Sequence, residues 1–139
     1  MYVLLFFCVV FPGGVCYNIE EVSAMLFLQY PPCSTCQKAK KWLDAKAISY
    51  QNRHIKQENP SLEELKRWYA VSGLPLKRFF NTSGLLYKAM NLKERLPDMT
   101  EQEQLELLAS DGMLVKRPIL VMEDRVLVGF REAEWEKIL

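Results

Sequence analysis

Two cysteines separated by two residues, in YPPCSTCQKAKKWL (residues 30–43), are the side chains of this sequence best suited to chemistry. A thiol pair at that spacing can exchange disulfides, hold a metal, or lie inert in a core. If Cys33 caps the helix that follows, its sulfur faces the free amides of the first turn and the positive end of the helix dipole. Both favour thiolate over thiol and lower the pKa below about 8.5, and the thiolate is the reactive form. Cys36 lies three positions on, on the same helix face. There it can attack a sulfur-bound intermediate on Cys33 and close a disulfide. A zinc site needs four ligands, and outside the first 24 residues only His54 could join the two sulfurs. An inert pair is disfavoured because a helix mouth after Pro-Pro is a poor place to bury thiols. The expectation is redox or nucleophilic work, with no metal.

KRPIL (residues 116–120) holds the second candidate. A proline opening a strand after a long insert suits a cis peptide, which is cheap almost only at proline. In a thioredoxin-like fold such a proline, here Pro118, lies beside the CxxC and leaves a backbone edge free for substrate. Arg117 before it would turn a permanent, fork-shaped cation toward the thiolate. The alternative is a surface arginine beside a turn.

The elements that must position these residues can be read from the pattern. LFLQY (residues 26–30) reads as a buried strand stopped by Pro31-Pro32. Residues 34–46 turn helical, with Ala39, Trp42 and Leu43 on one face and Lys38, Lys40, Lys41 and Asp44 toward water. ISYQNRHI (residues 48–55) is a second strand, so the start is a parallel β-α-β unit. Ser61 with Glu64 forms a capping box before a helix that ends at Gly73. Residues 74–92 read as short helical turns joined at Ser83-Gly84, with Leu76, Phe79, Phe80 and Leu85 in the core. Thr100 and Glu103 open another helix, which closes near Gly112. PILVM and VLVGF, separated by Glu123-Asp124-Arg125, have hairpin spacing. A last helix, REAEWEKIL, turns Ala133, Trp135 and Ile138 inward. The fold class expected is α/β: a thioredoxin-like, glutaredoxin-type β-α-β…β-β-α mixed sheet with a helical insert.

Composition agrees with one domain of ordinary globular type. The chain has 139 residues, half of them apolar, and a formal net charge of +1. With no block of like charge there is no electrostatic case for binding DNA directly. A single CxxC is not the disulfide framework of a small secreted protein, and the expected location is the cytoplasm, with no membrane association. The N-terminus stands apart. Residues 2–11 are mostly apolar but too few to span a bilayer. Residues 1–24 are expected to be a leader outside the domain at 25–139. The favoured reading is upstream sequence translated from a mistaken start, since Glu20-Glu21 could be encoded by a ribosome-binding site just before Met25. A signal segment is the alternative, although no Lys or Arg precedes the apolar run.

YPPCSTCQKAKKWL, NPSLEELK, LKRFFNTSG, LASDGMLVKRPILV and VGF together resemble the arsenate reductase (ArsC)-like family, which includes the Spx and MgsR regulators and the YffB-type proteins. The resemblance spans nearly all of residues 25–139. It implies that Cys33 is the nucleophile, Cys36 the resolving thiol, and Arg117 the cation before the proline. It implies attack on arsenate by Cys33, reduction to arsenite, and regeneration by glutathione and glutaredoxin or by thioredoxin, with no bound cofactor. Ser34, Thr35, Asn81, Pro118 and Arg131 complete the implied binding set for a small oxyanion or thiol substrate. Two positions depart from the reductases, which carry arginine where this chain has Asn81 and another near Phe130, beside Arg131. Each missing cation removes charge-assisted hydrogen bonds of roughly 1.5–3 kcal/mol. Cys36 instead matches the CxxC of Spx, where a reversible disulfide is a switch. The second reading is therefore a redox-sensing regulator with RNA polymerase as its partner. Against it, Spx has a glycine aligned near Pro75 and a longer tail.

Overall fold

The computed structural model describes residues 8–10, 16–18 and 25–139. The leader expected over residues 1–24 lies outside the described residues, apart from a ladder in which β1 (Cys8–Val10) pairs antiparallel with β2 (Cys16–Asn18). The body runs β3 (Leu26–Gln29), α1 (Ser34–Ala45), β4 (Gln51–His54), α2 (Leu62–Ser72), α3 (Leu85–Ala89), α4 (Leu92–Arg95), α5 (Glu101–Ser110), β5 (Ile119–Val121), β6 (Val126–Val128) and α6 (Glu132–Ile138). Single 3-10 turns at Leu76–Phe79, Leu96–Asp98 and Gly112–Leu114 join the helices of the insert. The four body strands form one sheet in the order β4-β3-β5-β6. β3 pairs parallel with β4 and antiparallel with β5, and β5 and β6 form the hairpin. This is the mixed sheet expected from the sequence. No helix among the described residues is long and apolar enough to cross a membrane.

Because side chains alternate along a strand, β3 feeds two cores. Phe27 enters one with Met25, Ala39, Leu43, Leu120, Leu127 and Trp135, where α1 and α6 pack. Leu28 enters the other, among Ile55, Leu65, Trp68, Phe79, Leu108 and Ile119, where the insert packs. In α1 the buried residues are Cys36, Ala39 and Leu43, one stripe at helical spacing.

The insert is built from local signals. Ser61 and Thr100 each close a complete capping box, with Glu64 and Glu103 respectively, and Gly73 ends α2 in the left-handed conformation at φ +65°. Arg53 of β4 grips Glu64 through two bonds of 2.6 and 3.0 Å and also donates to the carbonyls of Glu58 and Asn59. The Arg53 side chain holds the Glu64 carboxyl below the usual carboxylate range against the opposing effect of burial. At Gly112 the turn meets the sheet so closely that a Cβ would lie 1.9 Å from the Ile55 carbonyl oxygen. Asn59 Nδ2 donates to the Ala109 carbonyl at 2.7 Å beside this contact.

Two expected core positions are corrected. Leu85 is 87% exposed, and Tyr87 and Leu92 fill the place expected for it. Ala133 is likewise exposed, while Trp135 is buried and Ile138 partly so. The reason is shared: residues two apart on a helix point about 200° from each other. Once Tyr87 and Trp135 turn inward, Leu85 and Ala133 must turn out.

Candidate active site

The site begins where β3 gives way to α1. Pro31 and Pro32 cannot continue the ladder, and the chain folds back so that the Cys33 amide donates to the Tyr30 carbonyl at 3.0 Å. Gln37 braces this turn, its amide donating to the Cys33 carbonyl and its side chain to the Pro31 carbonyl at 2.9 Å. Cys33 is the N-cap residue of α1, with extended backbone at φ −76° and ψ 122°. Its thiol is partly exposed and Cys36 is fully buried, and the two are not joined in a disulfide.

The two sulfurs sit in opposite electrostatic settings. Burial pushes the Cys33 thiol up, but the Cys36 amide, the Arg117 guanidinium and the Cys36 thiol together outweigh it and hold the group below its ordinary value. Burial pushes the Cys36 thiol up to about 12, against the opposing Tyr30 amide, and a negative Cys33 beside it pushes in the same direction as burial. The Tyr30 amide donates to Cys36 Sγ at 3.5 Å. The pair therefore offers one thiol inclined to ionise and one that keeps its proton until a stronger electrophile is adjacent.

Arg117 approaches from the strand that pairs with β3. The Arg117–Pro118 peptide is cis, Pro118 is buried, and its carbonyl accepts from the Gly129 amide at 2.8 Å. The Arg117 guanidinium lies over the Tyr30 ring, 4.9 Å from its centroid. Its Nε and Nη1 are buried without a hydrogen-bond partner.

The other expected site residues are placed as follows. Ser34 and Thr35 form the exposed first turn of α1. Asn81 is buried in the insert, where its amide donates to the Leu114 carbonyl at 2.8 Å and its carbonyl accepts from Gly84 at 3.0 Å. Its side-chain oxygen accepts from Ser83 at 3.3 Å. Arg131 is the exposed N-cap residue of α6, and its carbonyl accepts from Glu134 and Trp135. Among the described residues no hydrogen bond joins Asn81 or Arg131 to the cysteines or Arg117. Phe130 is a packing residue, its ring 4.9 Å from that of Trp135. Cys33, Cys36 and Arg117 are thus assembled around one turn, with Pro118 next to Arg117 in the chain, and the sequence reading missed Tyr30 at its centre. The available signal was an aromatic residue directly before Pro-Pro-Cys.

A β-α-β…β-β-α sheet with a CxxC at the first helix and a cis-proline opening the strand that pairs with β3 defines a thioredoxin-like thiol protein. Comparison with known proteins narrows the class. The model of the ArsC family matches residues 28–138. The uncharacterized protein YusI of Bacillus subtilis is 54% identical over 114 residues, covering 82% of this chain and 97% of YusI. Regulatory protein MgsR of the same organism is 34% identical over 82% of this chain and 89% of its own length. The crystal structure of an ArsC family related protein from Bacteroides fragilis superposes with a TM-score of 0.82 at 59% identity, covering 86% of this chain and all of that one. That of a possible arsenate reductase from Streptococcus mutans superposes at 0.78 and 43% identity, covering 84% and 99%. The chain belongs to the ArsC family.

Proposed function

We propose that this protein is a thiol–disulfide oxidoreductase in which Cys33 is the nucleophile, Cys36 the resolving thiol and Arg117 the cation that favours the Cys33 anion. The observation that carries the reading is the division between the two thiols. Cys33 is partly exposed and held below its ordinary pKa, and Cys36 is buried and held above its own.

With a disulfide substrate, the Cys33 thiolate attacks one sulfur, the substrate S–S bond breaks, and the departing thiolate takes a proton. Cys36 then gives up its proton and attacks Cys33 Sγ. The second substrate thiolate leaves, and two electrons have passed from the protein, which becomes a Cys33–Cys36 disulfide. Glutathione with glutaredoxin, or thioredoxin, would return them, and no bound cofactor is required. Arsenate is the oxyanion version of the same cycle: Cys33 displaces a hydroxyl from arsenic(V), and attack by Cys36 on Cys33 sends two electrons to arsenic, releasing arsenite. Ser34 and Thr35 in the exposed first turn of α1 are the groups assigned to an oxyanion beside Cys33, together with Arg117 and Pro118. Asn81 and Arg131 belong to the proposed binding set only through the resemblance.

The second reading is a regulator that uses the same pair as a redox switch and binds RNA polymerase. Its support is the 34% identity to a protein named as a regulator, MgsR. One experiment separates the two. The reduced protein is given arsenate or a small disulfide, with glutathione and glutaredoxin or with thioredoxin and its reductase, and NADPH oxidation is followed. Turnover that disappears in Cys33→Ser is the expected result. A folded protein that turns over in neither system but retains RNA polymerase on a column overturns the enzyme reading in favour of the regulator.

A further inference from the structure

Tyr30 bonds to each member of the cysteine pair and stacks on the arginine. Its carbonyl accepts from the Cys33 amide, its own amide reaches Cys36 Sγ, and its ring lies under Arg117. The main-chain contacts survive any side-chain change, so the ring is free to have a role of its own. We propose that the Tyr30 ring is a positioning platform for Arg117, holding by stacking, beside Cys33, a guanidinium whose Nε and Nη1 have no hydrogen-bond partner among the described residues.

Three observations support this. First, Arg117 Nε and Nη1 are buried and unpartnered, and among the described residues no carboxylate pairs with the group. A long side chain with so few bonds would otherwise lose its place to rotamer freedom. Second, guanidinium is the cation best suited to lying flat on an aromatic face, and the attraction grows when the pair is partly desolvated. Third, the ring itself is held. Tyr30 follows the last residue of β3, where Gln29 pairs with His54. The His54 ring meets the Tyr30 ring edge-on at 5.7 Å and 84°. His54 is fixed in turn, since its Nδ1 accepts from the Lys56 and Gln57 amides at 3.2 Å each. Position is therefore handed from β4 through His54 and Tyr30 to Arg117.

Part of the consequence rests on the reading of Cys33 as a thiolate nucleophile, so the test has two readouts. The first is the pH midpoint for reaction of Cys33 with a small aromatic disulfide, measured in wild type, Tyr30→Phe, Tyr30→Leu, Arg117→Met and the Tyr30→Leu/Arg117→Met double variant. Tyr30→Phe is expected to match wild type, and Tyr30→Leu to raise the midpoint by about half a pH unit or more. In the Arg117→Met background Tyr30→Leu is expected to add nothing. A further rise in that background, or Tyr30→Phe behaving as Tyr30→Leu, overturns the platform. The second readout is the Arg117 Nε–H proton resonance. It is expected upfield of free arginine, through the ring current, in wild type and Tyr30→Phe, and at the free position in Tyr30→Leu. A wild-type resonance at the free position overturns the stack. An ordinary wild-type thiol midpoint overturns the nucleophile reading instead, and the resonance still decides the platform.

Discussion

The unequal thiols make a prediction whose size can be worked out. The Cys36 thiol, pushed up to about 12, lies about three pH units above the ordinary cysteine value of 9.0, and the Cys33 thiol is held below that value. At pH 7 the thiolate fraction of Cys36 is therefore smaller than that of Cys33 by about three orders of magnitude or more. A more basic thiolate is also a better nucleophile, with a Brønsted coefficient of about 0.4–0.5, and this recovers roughly half of the deficit on a logarithmic scale. Ionisation alone therefore leaves Cys33 at least roughly thirty- to sixtyfold faster toward a small disulfide. Complete burial of Cys36 widens the gap. The perturbation is to isolate each thiol: Cys36→Ser leaves Cys33, and Cys33→Ser leaves Cys36. Each variant is mixed with a limiting aromatic disulfide at pH 7, quenched at intervals, and the labelled peptides are counted by mass spectrometry. Labelling of the Cys33 peptide at least about tenfold faster is expected, a margin below thirtyfold because Cys33→Ser removes the Cys33 anion's share of the upward push on Cys36 and leaves burial, the largest cause. Rates within a factor of five, in variants that melt like wild type, would refute both the pKa ordering and the division of roles built on it.

Three further predictions concern the frame. Gly112→Ala forces a Cβ to within 1.9 Å of the Ile55 carbonyl oxygen, so the turn and β4 must separate by more than an ångström; a loss of about 3 kcal/mol or more and a melting temperature lower by roughly 10 °C are expected in thermal and urea unfolding. Glu64→Gln breaks the grip of Arg53 and is expected to cost about 1–3 kcal/mol at neutral pH. Because the folded-state pKa of Glu64 is depressed, its contribution is complete above the unfolded carboxylate value near 4.3 and fades as pH falls through the folded value, so the urea midpoints of wild type and variant should converge in acid. Leu85→Ser, at an 87% exposed position, is expected to change stability by less than about 0.5 kcal/mol in the same assay.

How legible these features were in the sequence depends on how local their causes are. The capping boxes at Ser61 and Thr100 are four-residue devices and read directly. The parallel unit followed by a hairpin reads from spacing, because a short joint permits one pairing and a long crossover another. Leu85 and Ala133 were misplaced because α3 and α6 have only five and seven residues. So few turns give periodicity no chance to choose a face, and a neighbouring tertiary contact chooses it. β4 is shorter than the strand expected over residues 48–55: Ala47 takes a positive φ of 55° and the ladder begins only at Gln51. At the site, Cys33 and Cys36 declare themselves by type and spacing. Tyr30 does not, because its significance comes from Arg117, eighty-seven positions away in the chain and adjacent only once β5 has paired with β3.

Phe27 and Leu28 are next to each other in sequence yet belong to different halves of the interior, which makes β3 the ruler against which the molecule is measured. A single codon inserted within residues 26–29 would exchange the two halves' tenants and carry the Tyr30–Cys33 turn to the wrong side of the sheet. The same insertion in the joint between α1 and β4 would merely lengthen a connection. Change to this chain is therefore tightly constrained along four central residues and permissive only a short distance downstream, and engineering that respects this asymmetry can alter the rim without disturbing the sulfur chemistry.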